Sequence, residues 1–216
     1  GDGECGKPSF RGYLAQRLGG YEARIPPGGV PVPGPVSPDS RDAKLFPDYY
    51  RNAMQNNPFA NAIRVAPRVC VAPLTYTGQA KVQRDIANLK AGLKAAGIAE
   101  GWMNSVAPAS CSRFASEYYK TEEEYFHAVG AAMRTEYKAI LDAGFLLQVD
   151  DPFLTDIYAD PELDAAGMDR RAAMYVEAIN SSIKGLPEER IRFHTCYGIN
   201  EGPRVFDAGI EKYIHH

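Results

Sequence analysis

The sequence lacks the features that mark a membrane or secreted protein. It has no run of about 18 consecutive apolar residues, which a membrane-spanning helix needs. Its opening residues, GDGECGKPSF, have neither the basic start nor the apolar stretch of a signal peptide. From these absences we expect a cytoplasmic protein with no membrane partner.

The sequence also has little excess charge of either sign. Its 24 Lys and Arg residues against 27 Asp and Glu residues give a formal net charge of −3, and the basic residues are scattered along the chain. Proteins that bind nucleic acid gather basic side chains into a patch or stripe, because affinity depends on the release of counterions. We therefore expect no nucleic-acid partner, and the oligomeric state stays open.

Cysteine is scarce and widely spaced, at Cys5, Cys70, Cys111 and Cys196. A chain of 216 residues with 45% hydrophobic content can bury a substantial core without covalent cross-links. We expect the cysteines to be free thiols and residues 1–216 to form a single domain. Within it, residues 1–66 are rich in Pro and Gly and are predicted to be an N-terminal extension or arm with short helices at 9–18 and 47–56.

From residue 67 onward, the pattern alternates between short β-branched runs and longer segments with helical spacing. Strands are predicted at 68–74, 102–108, 145–150 and 191–196, and helices at 79–96, 121–143, 168–183 and 208–215. Thr121 and Glu124 form a capping-box pattern, and Gly144 stands where a glycine commonly ends a helix.

This βαβαβαβα order predicts an α/β fold with parallel strands, either a TIM (β/α)8 barrel or an open doubly wound sheet. No glycine-rich phosphate loop of the G-x-G-x-x-G or G-x-x-x-x-G-K-[ST] kind follows a strand, which favours the barrel. The four βα units are half of the eight that a closed barrel needs, so we expect an incomplete barrel in this chain.

The strongest local signal for chemistry is the His194-Thr195-Cys196 segment at the end of the last predicted strand. Side chains alternate along a strand, so His194 and Cys196 should point to the same side with Arg192, while Ile191 and Phe193 face the outer helices. Imidazole and thiolate are preferred zinc ligands, and α/β enzymes place their sites at the carboxyl ends of parallel strands. The alternative is a buried histidine bonded to a backbone carbonyl beside an inert cysteine.

A second polar strand end precedes it at Gln148-Val149-Asp150-Asp151-Pro152. Gln148 and Asp150 share one face of the strand, so an amide and a carboxylate should enter the interior that also receives His194. A buried carboxylate needs a partner, which makes Asp150 a candidate for binding a cationic substrate group. The alternative is that Asp150 and Asp151 end the strand and begin a turn.

Taken together, the segments GDGECGKPSF, VAPLTYTGQA, YYKTEEEY, AGFLLQVDDPFL and RFHTCYGINEGPR resemble the cobalamin-independent methionine synthase family, including its single-domain relatives and the epoxyalkane:coenzyme M transferases. The resemblance covers nearly all of the chain, and LLQVDDP and RFHTCYG are its most specific parts. It implies a TIM barrel and a zinc ion held by His194 and Cys196. Two further ligands would be expected beyond residue 216.

The resemblance also implies a function, namely transfer of a methyl or alkyl group to a substrate thiol that zinc activates as a thiolate. Asp150 matches the carboxylate that binds the amino group of homocysteine in the methionine synthases. Gln148, Asp151, Tyr197 and Glu4 are the remaining substrate-binding candidates, and a folate is a candidate methyl donor. The expected partners are therefore a small-molecule thiol and a methyl or alkyl donor.

Two other functions are compatible with the same pattern. A metal-free lyase resembling uroporphyrinogen decarboxylase would use arginines and an aspartate on a tetrapyrrole, and it would not need the His-x-Cys pair. A noncatalytic fragment without the distal zinc ligands is the third possibility. Zinc content separates the transferase from the lyase.

Overall fold

The computed structural model describes residues 9–25, 27–29, 41–56, 66–112, 114–158, 160, 163–196, 205 and 208–216, which form a mixed α/β fold. The strands are β1 (Leu18–Ala23), β2 (Arg68–Tyr76), β3 (Trp102–Val106), β4 (Ala115–Ser116), β5 (Leu146–Asp150) and β6 (Ile191–His194). The helices are α1 (Phe10–Ala15), α2 (Arg41–Leu45), α3 (Pro47–Asn56), α4 (Gln79–Ala96), α5 (Glu122–Asp142), α6 (Leu154–Tyr158) and α7 (Ala165–Ile183).

The described strands form two sheets of three strands each. One has the order β3-β5-β6 and is parallel throughout, as expected for strands joined by helices. The other has the order β1-β2-β4, in which β1 is antiparallel and β4 parallel to β2. The expectation that β2 continues the parallel series is wrong for the described residues, because β2 hydrogen-bonds to β1 and β4 instead. No closed barrel is present among these strands.

The first described residues contain a strand that the sequence pattern did not predict. The helix expected at 9–18 ends at Ala15, and Leu18 begins β1, which pairs along β2. Leu14 of α1 is fully buried, so this part of the predicted extension belongs to the hydrophobic core. The assignment of residues 1–216 to a single domain stays a prediction.

The long helices follow the sequence signals closely. Thr121 caps α5 by accepting the Glu124 N–H at 3.1 Å, and Gly144 beyond its end has the positive φ of 94° that favours glycine. The α5 and α7 helices pack against each other through buried aliphatic and aromatic side chains. The helix predicted at 208–215 is wrong, because this segment forms a single 3₁₀ turn at Ile210–Lys212.

The cysteines agree with the expectation of free thiols wherever the chain is described. Cys70, Cys111 and Cys196 are free thiols, while Cys5 lies outside the described residues. No helix in the described ranges is both long and apolar enough to cross a membrane.

Candidate functional site

The site is assembled by the register of the parallel sheet. Asn104 of β3 lies opposite Gln148 of β5, which lies opposite Arg192 of β6. Two residues further along the strands, Asp150 lies opposite His194. Because the three strands are parallel and in register, their polar residues meet near the carboxyl ends, where α/β folds commonly place their sites.

Asp150 is the centre of this group and is fully buried. Its Oδ2 accepts a hydrogen bond from Asn104 Nδ2 at 2.6 Å, and its Oδ1 accepts one from Gln148 Nε2 at 2.5 Å. The His194 Nδ1 atom lies 3.1 Å from the same Oδ1. These contacts compensate a carboxylate that would otherwise be costly to bury.

Gln148 joins Asp150 to a cation on the neighbouring strand. Its Oε1 accepts from Arg192 Nε at 2.6 Å while its Nε2 donates to Asp150, so both ends of the buried amide are engaged. The Arg192 guanidinium in turn lies over the Trp102 ring, 3.7 Å from the ring centroid. The predicted substrate-binding residue Gln148 is therefore a link in a polar chain across the sheet.

Hydrogen bonds to the preceding loop hold the segment that carries His194 and Cys196. The His194 carbonyl accepts from Asp151 N–H at 2.9 Å, Thr195 Oγ1 donates to the Asp151 carbonyl at 2.8 Å, and Thr155 Oγ1 donates to the Cys196 carbonyl at 2.6 Å. The Cys196 residue is half-buried, and its thiol is not in a disulfide. One expectation for β6 is wrong: Phe193 does not pack under helices but is 48% exposed.

Asp151 has the structural role that the sequence offered as its alternative, which is to end the strand and begin a turn. Its Oδ1 accepts from the N–H groups of Phe153 and Leu154 at 2.9 and 3.1 Å, which caps the start of α6. Its Oδ2 is buried without a hydrogen-bond partner among the described residues. Burial raises the pKa of the Asp151 carboxyl to about 7, against the two backbone hydrogen bonds that lower it.

Two predicted site residues lie outside the described part of the chain, and two residues of the polar chain were not predicted from the sequence. Glu4 and Tyr197 lie outside the described residues. Asn104 and Trp102 were missed, although both occupy alternate positions on the weakly patterned strand β3, where a buried polar residue is itself a signal.

A cavity of about 380 Å³ lies apart from this polar chain. Its lining comprises Ser112, Phe114, Ala115, Ser116, Tyr119, Lys120, Thr121, Glu122, Tyr125 and Phe126, and thus includes none of the residues around Asp150. Size alone is a weaker guide to function than converging titratable and metal-ligating groups. We therefore take the strand ends as the candidate site.

The contact between His194 and Asp150 suits a histidine that binds a metal ion better than a histidine that acts as a base in hydrolysis. An ionised carboxylate only accepts hydrogen bonds, so Asp150 favours the tautomer with the proton on His194 Nδ1 and the lone pair on Nε2. Histidines that bind zinc are commonly oriented by a carboxylate in this way. His194 and Cys196 fit zinc by donor type, and they are two of the four ligands of a usual protein site.

Comparison with solved structures supports the fold. The chain is similar to a B12-independent methionine synthase from Shewanella sp. W3-18-1 in complex with selenomethionine, with a TM-score of 0.54 and 16% sequence identity. The match covers 86% of this chain and 42% of that chain, so this chain spans less than half of the synthase. No protein-family model matches, and no curated protein matches. At this identity, the likeness establishes a fold in common with a methionine synthase.

Proposed function

We propose that this chain forms part of a (β/α)-barrel transferase that moves a methyl or alkyl group onto a substrate thiol. His194 and Cys196 would hold zinc, which when bound lowers the pKa of a substrate thiol and keeps it as the nucleophilic thiolate. The observation that carries the proposal is the 3.1 Å contact between His194 Nδ1 and the buried carboxylate of Asp150. The fold in common with a methionine synthase supports it.

The residues around the metal ligands have positioning roles in this proposal. Asp150 orients the His194 ring, and Asn104 and Gln148 fix the carboxylate through hydrogen bonds of 2.6 and 2.5 Å. The Arg192 guanidinium fixes Gln148 and is itself held on Trp102. A site whose ligands are supported in this way keeps its geometry before substrate arrives.

Zinc content tests the proposal directly. We expect the Cys196→Ser variant to carry about one zinc per chain fewer than the unaltered protein, because the hydroxyl is a poor zinc ligand. Cys70→Ser is the matched control, since Cys70 is a buried free thiol on β2 that donates to the Ala72 carbonyl. Metal analysis by mass spectrometry that finds undiminished zinc in Cys196→Ser would refute the metal site.

The Asp150→Asn variant separates two roles for that carboxylate. If Asp150 orients His194, zinc affinity should fall by about 10- to 100-fold, as for other supporting partners of metal ligands. If Asp150 instead binds a substrate amine, as the family resemblance implies, zinc content should hold. Affinity for an amine-bearing thiol should then fall by about one to two orders of magnitude. Calorimetry with matched thiols that differ in the amino group measures the second effect.

A further inference from the structure

A second group of metal-ligating side chains lies on a different part of the fold. Asp169 belongs to α7, and His215 and His216 lie in the turn that follows the 3₁₀ segment Ile210–Lys212. One donor atom from each of the three residues lies within 4.8 Å of the other two. None of them takes part in the polar chain around Asp150.

The turn brings two consecutive histidines to the same side. In an extended strand, neighbouring side chains point to opposite faces. Here the His216 N–H donates to the Tyr213 carbonyl at 3.3 Å, and the two imidazole rings lie with their centroids 4.3 Å apart. The His216 Nε2 atom faces α7, 3.8 Å from Asp169 Oδ1. The three donors therefore converge across the contact between the turn and the helix.

Tyr158, at the end of α6, gives an independent indication that this group of side chains binds a ligand. Its ring contacts the rings of Tyr213 and His216, with centroid separations of 5.8 and 6.4 Å. Its hydroxyl oxygen is buried and has no hydrogen-bond partner among the described residues. Burial and, to a smaller extent, the charge of Asp169 raise the pKa of this phenol. An unpaired polar atom on a ring that contacts the His216 imidazole is expected beside a polar ligand rather than in apolar packing.

We propose that Asp169, His215 and His216 bind a divalent transition-metal ion of the zinc type, which fastens the turn at 213–216 to α7. Two imidazole nitrogens and a carboxylate oxygen form a donor set that zinc accepts, with a water completing the tetrahedron. Ligand atoms about 2.0 Å from zinc are about 3.3 Å apart in a tetrahedron, so donors that lie within 4.8 Å of one another need to close by at most about 1.5 Å. The exposed Asp169 side chain, at 60% relative exposure, is free to make that adjustment by rotation.

The test measures zinc binding in the complete chain with Cys196→Ser present throughout, so that the thiol of the other site makes no contribution. We expect one zinc to bind, and Asp169→Asn and His216→Ala each to weaken the affinity at least about tenfold in calorimetric titrations. Asp142→Asn is the matched control, because the Asp142 and Asp169 side chains are 61% and 60% exposed and both lie on long helices. This control should leave zinc affinity unchanged.

A second measurement reports on the turn itself. Lys212 lies just before the two histidines, so trypsin should cleave after it more slowly when zinc is added, and Asp169→Asn should abolish that protection. Two outcomes would overturn the proposal: zinc affinity that depends on the histidines but not on Asp169, or an equal loss in Asp142→Asn. Because Cys196 is replaced in every sample, either outcome leaves the proposal for the His194–Cys196 site untouched.

Discussion

Asp150 and Asp151 are adjacent and fully buried, yet their surroundings give them different chemistry. Asp150 accepts hydrogen bonds from side chains on two strands, namely Asn104 on β3 and Gln148 on β5. Asp151 has backbone donors on one oxygen and no partner among the described residues on the other. These different partners make Asp150 a compensated carboxylate of the candidate site and Asp151 a helix cap whose charged form is costly to bury.

Asp151 should make the protein less stable as the pH rises. Its pKa is raised from the ordinary 3.8 to about 7, so between these values the folded state binds a proton that the unfolded state releases. The stability that this bound proton gives the folded state is fully present below pH 3.8 and is lost as the pH rises through about 7. The free energy of unfolding should fall because of this group by up to about 1.4 kcal/mol per pH unit. Urea unfolding from about pH 4.5 to about pH 8.5 in the presence of a chelator measures this fall.

Asp151→Asn is the control for this prediction, because the amide imitates the protonated carboxyl and can still accept from Phe153 and Leu154. The difference in unfolding free energy between the two proteins should depend on pH up to about 7 and level off above it. Parallel stability profiles across the whole range would show that Asp151 does not titrate as described.

At the scale of single residues, the alternation of side chains along a strand was enough to predict which face each polar residue occupies. Gln148, Asp150, Arg192 and His194 were placed on one side of their strands, and the contacts among them confirm that placement. The role of Asn104 could not be predicted, because it depends on the register between β3 and β5. Register is a property of the assembled sheet, and no single strand encodes it.

At the scale of elements, the contact between α5 and α7 depends on one glycine. A Cβ atom added at Gly130 of α5 would lie 3.1 Å from both the Ala178 carbonyl oxygen and Ser182 Cβ on α7, and 3.3 Å from Pro108 Cγ. These neighbours belong to backbone or rigid groups that cannot easily move. The close approach of the two helices therefore requires the absence of a side chain.

The same substitution should have opposite effects in two helices. Gly130→Ala should destabilise the protein by about 1 kcal/mol, because overpacking outweighs the gain in helix propensity. Gly92→Ala in α4, where an added Cβ meets nothing within 4 Å, should stabilise it by about 0.5–1 kcal/mol. Thermal and urea unfolding of the pair measure both effects. A stabilised Gly130→Ala variant would contradict the close approach.

The elements that were predicted correctly carry strong local signals, and those that were not depend on distant partners. The long helices α4 and α5 have apolar spacing and end signals within their own sequence. Strand β1 contains Gly19 and Gly20 and exists through its pairing with β2, some fifty residues away. A glycine-rich edge strand has little local preference for extended structure, so the sequence pattern could not reveal it.

At the scale of the whole molecule, one buried carboxylate connects the two sheets. Glu136 of α5 is fully buried, and Tyr13 and Ser105 donate to its Oε1 at 2.5 and 2.7 Å. Tyr76 of β2 donates to its Oε2 at 2.5 Å. Arg17 Nε lies 2.9 Å from the same Oε2, in an ion pair too poorly aligned to count as a hydrogen bond.

The position of Glu136 could have been recognised in the sequence, but its importance could not. It follows Met133 by three residues and precedes Ile140 by four, which places it on the buried stripe of α5. A glutamate in a helix is usually an exposed residue, and only its partners show otherwise. Those partners come from α1, the turn after α1, β2 and β3, so only the folded molecule brings them together.

Glu136→Gln should therefore weaken both sheets at once. The amide keeps one acceptor but turns an NH2 group toward Tyr76 and Arg17, which leaves the buried guanidinium with Asp85 as its remaining ionic partner among the described residues, 2.7 Å away. Breaking a buried pair costs about 3 kcal/mol or more. Asp85→Asn is the control, and because Asp85 is 32% exposed it should cost about 1 kcal/mol or less.

Two probes follow the unfolding of these variants in urea. The single tryptophan, Trp102 on β3, reports the parallel sheet by fluorescence, and far-UV circular dichroism reports the helices. Both urea transitions should shift together in Glu136→Gln. A fluorescence transition that stays in place would show that Glu136 does not couple β3 to the rest of the fold.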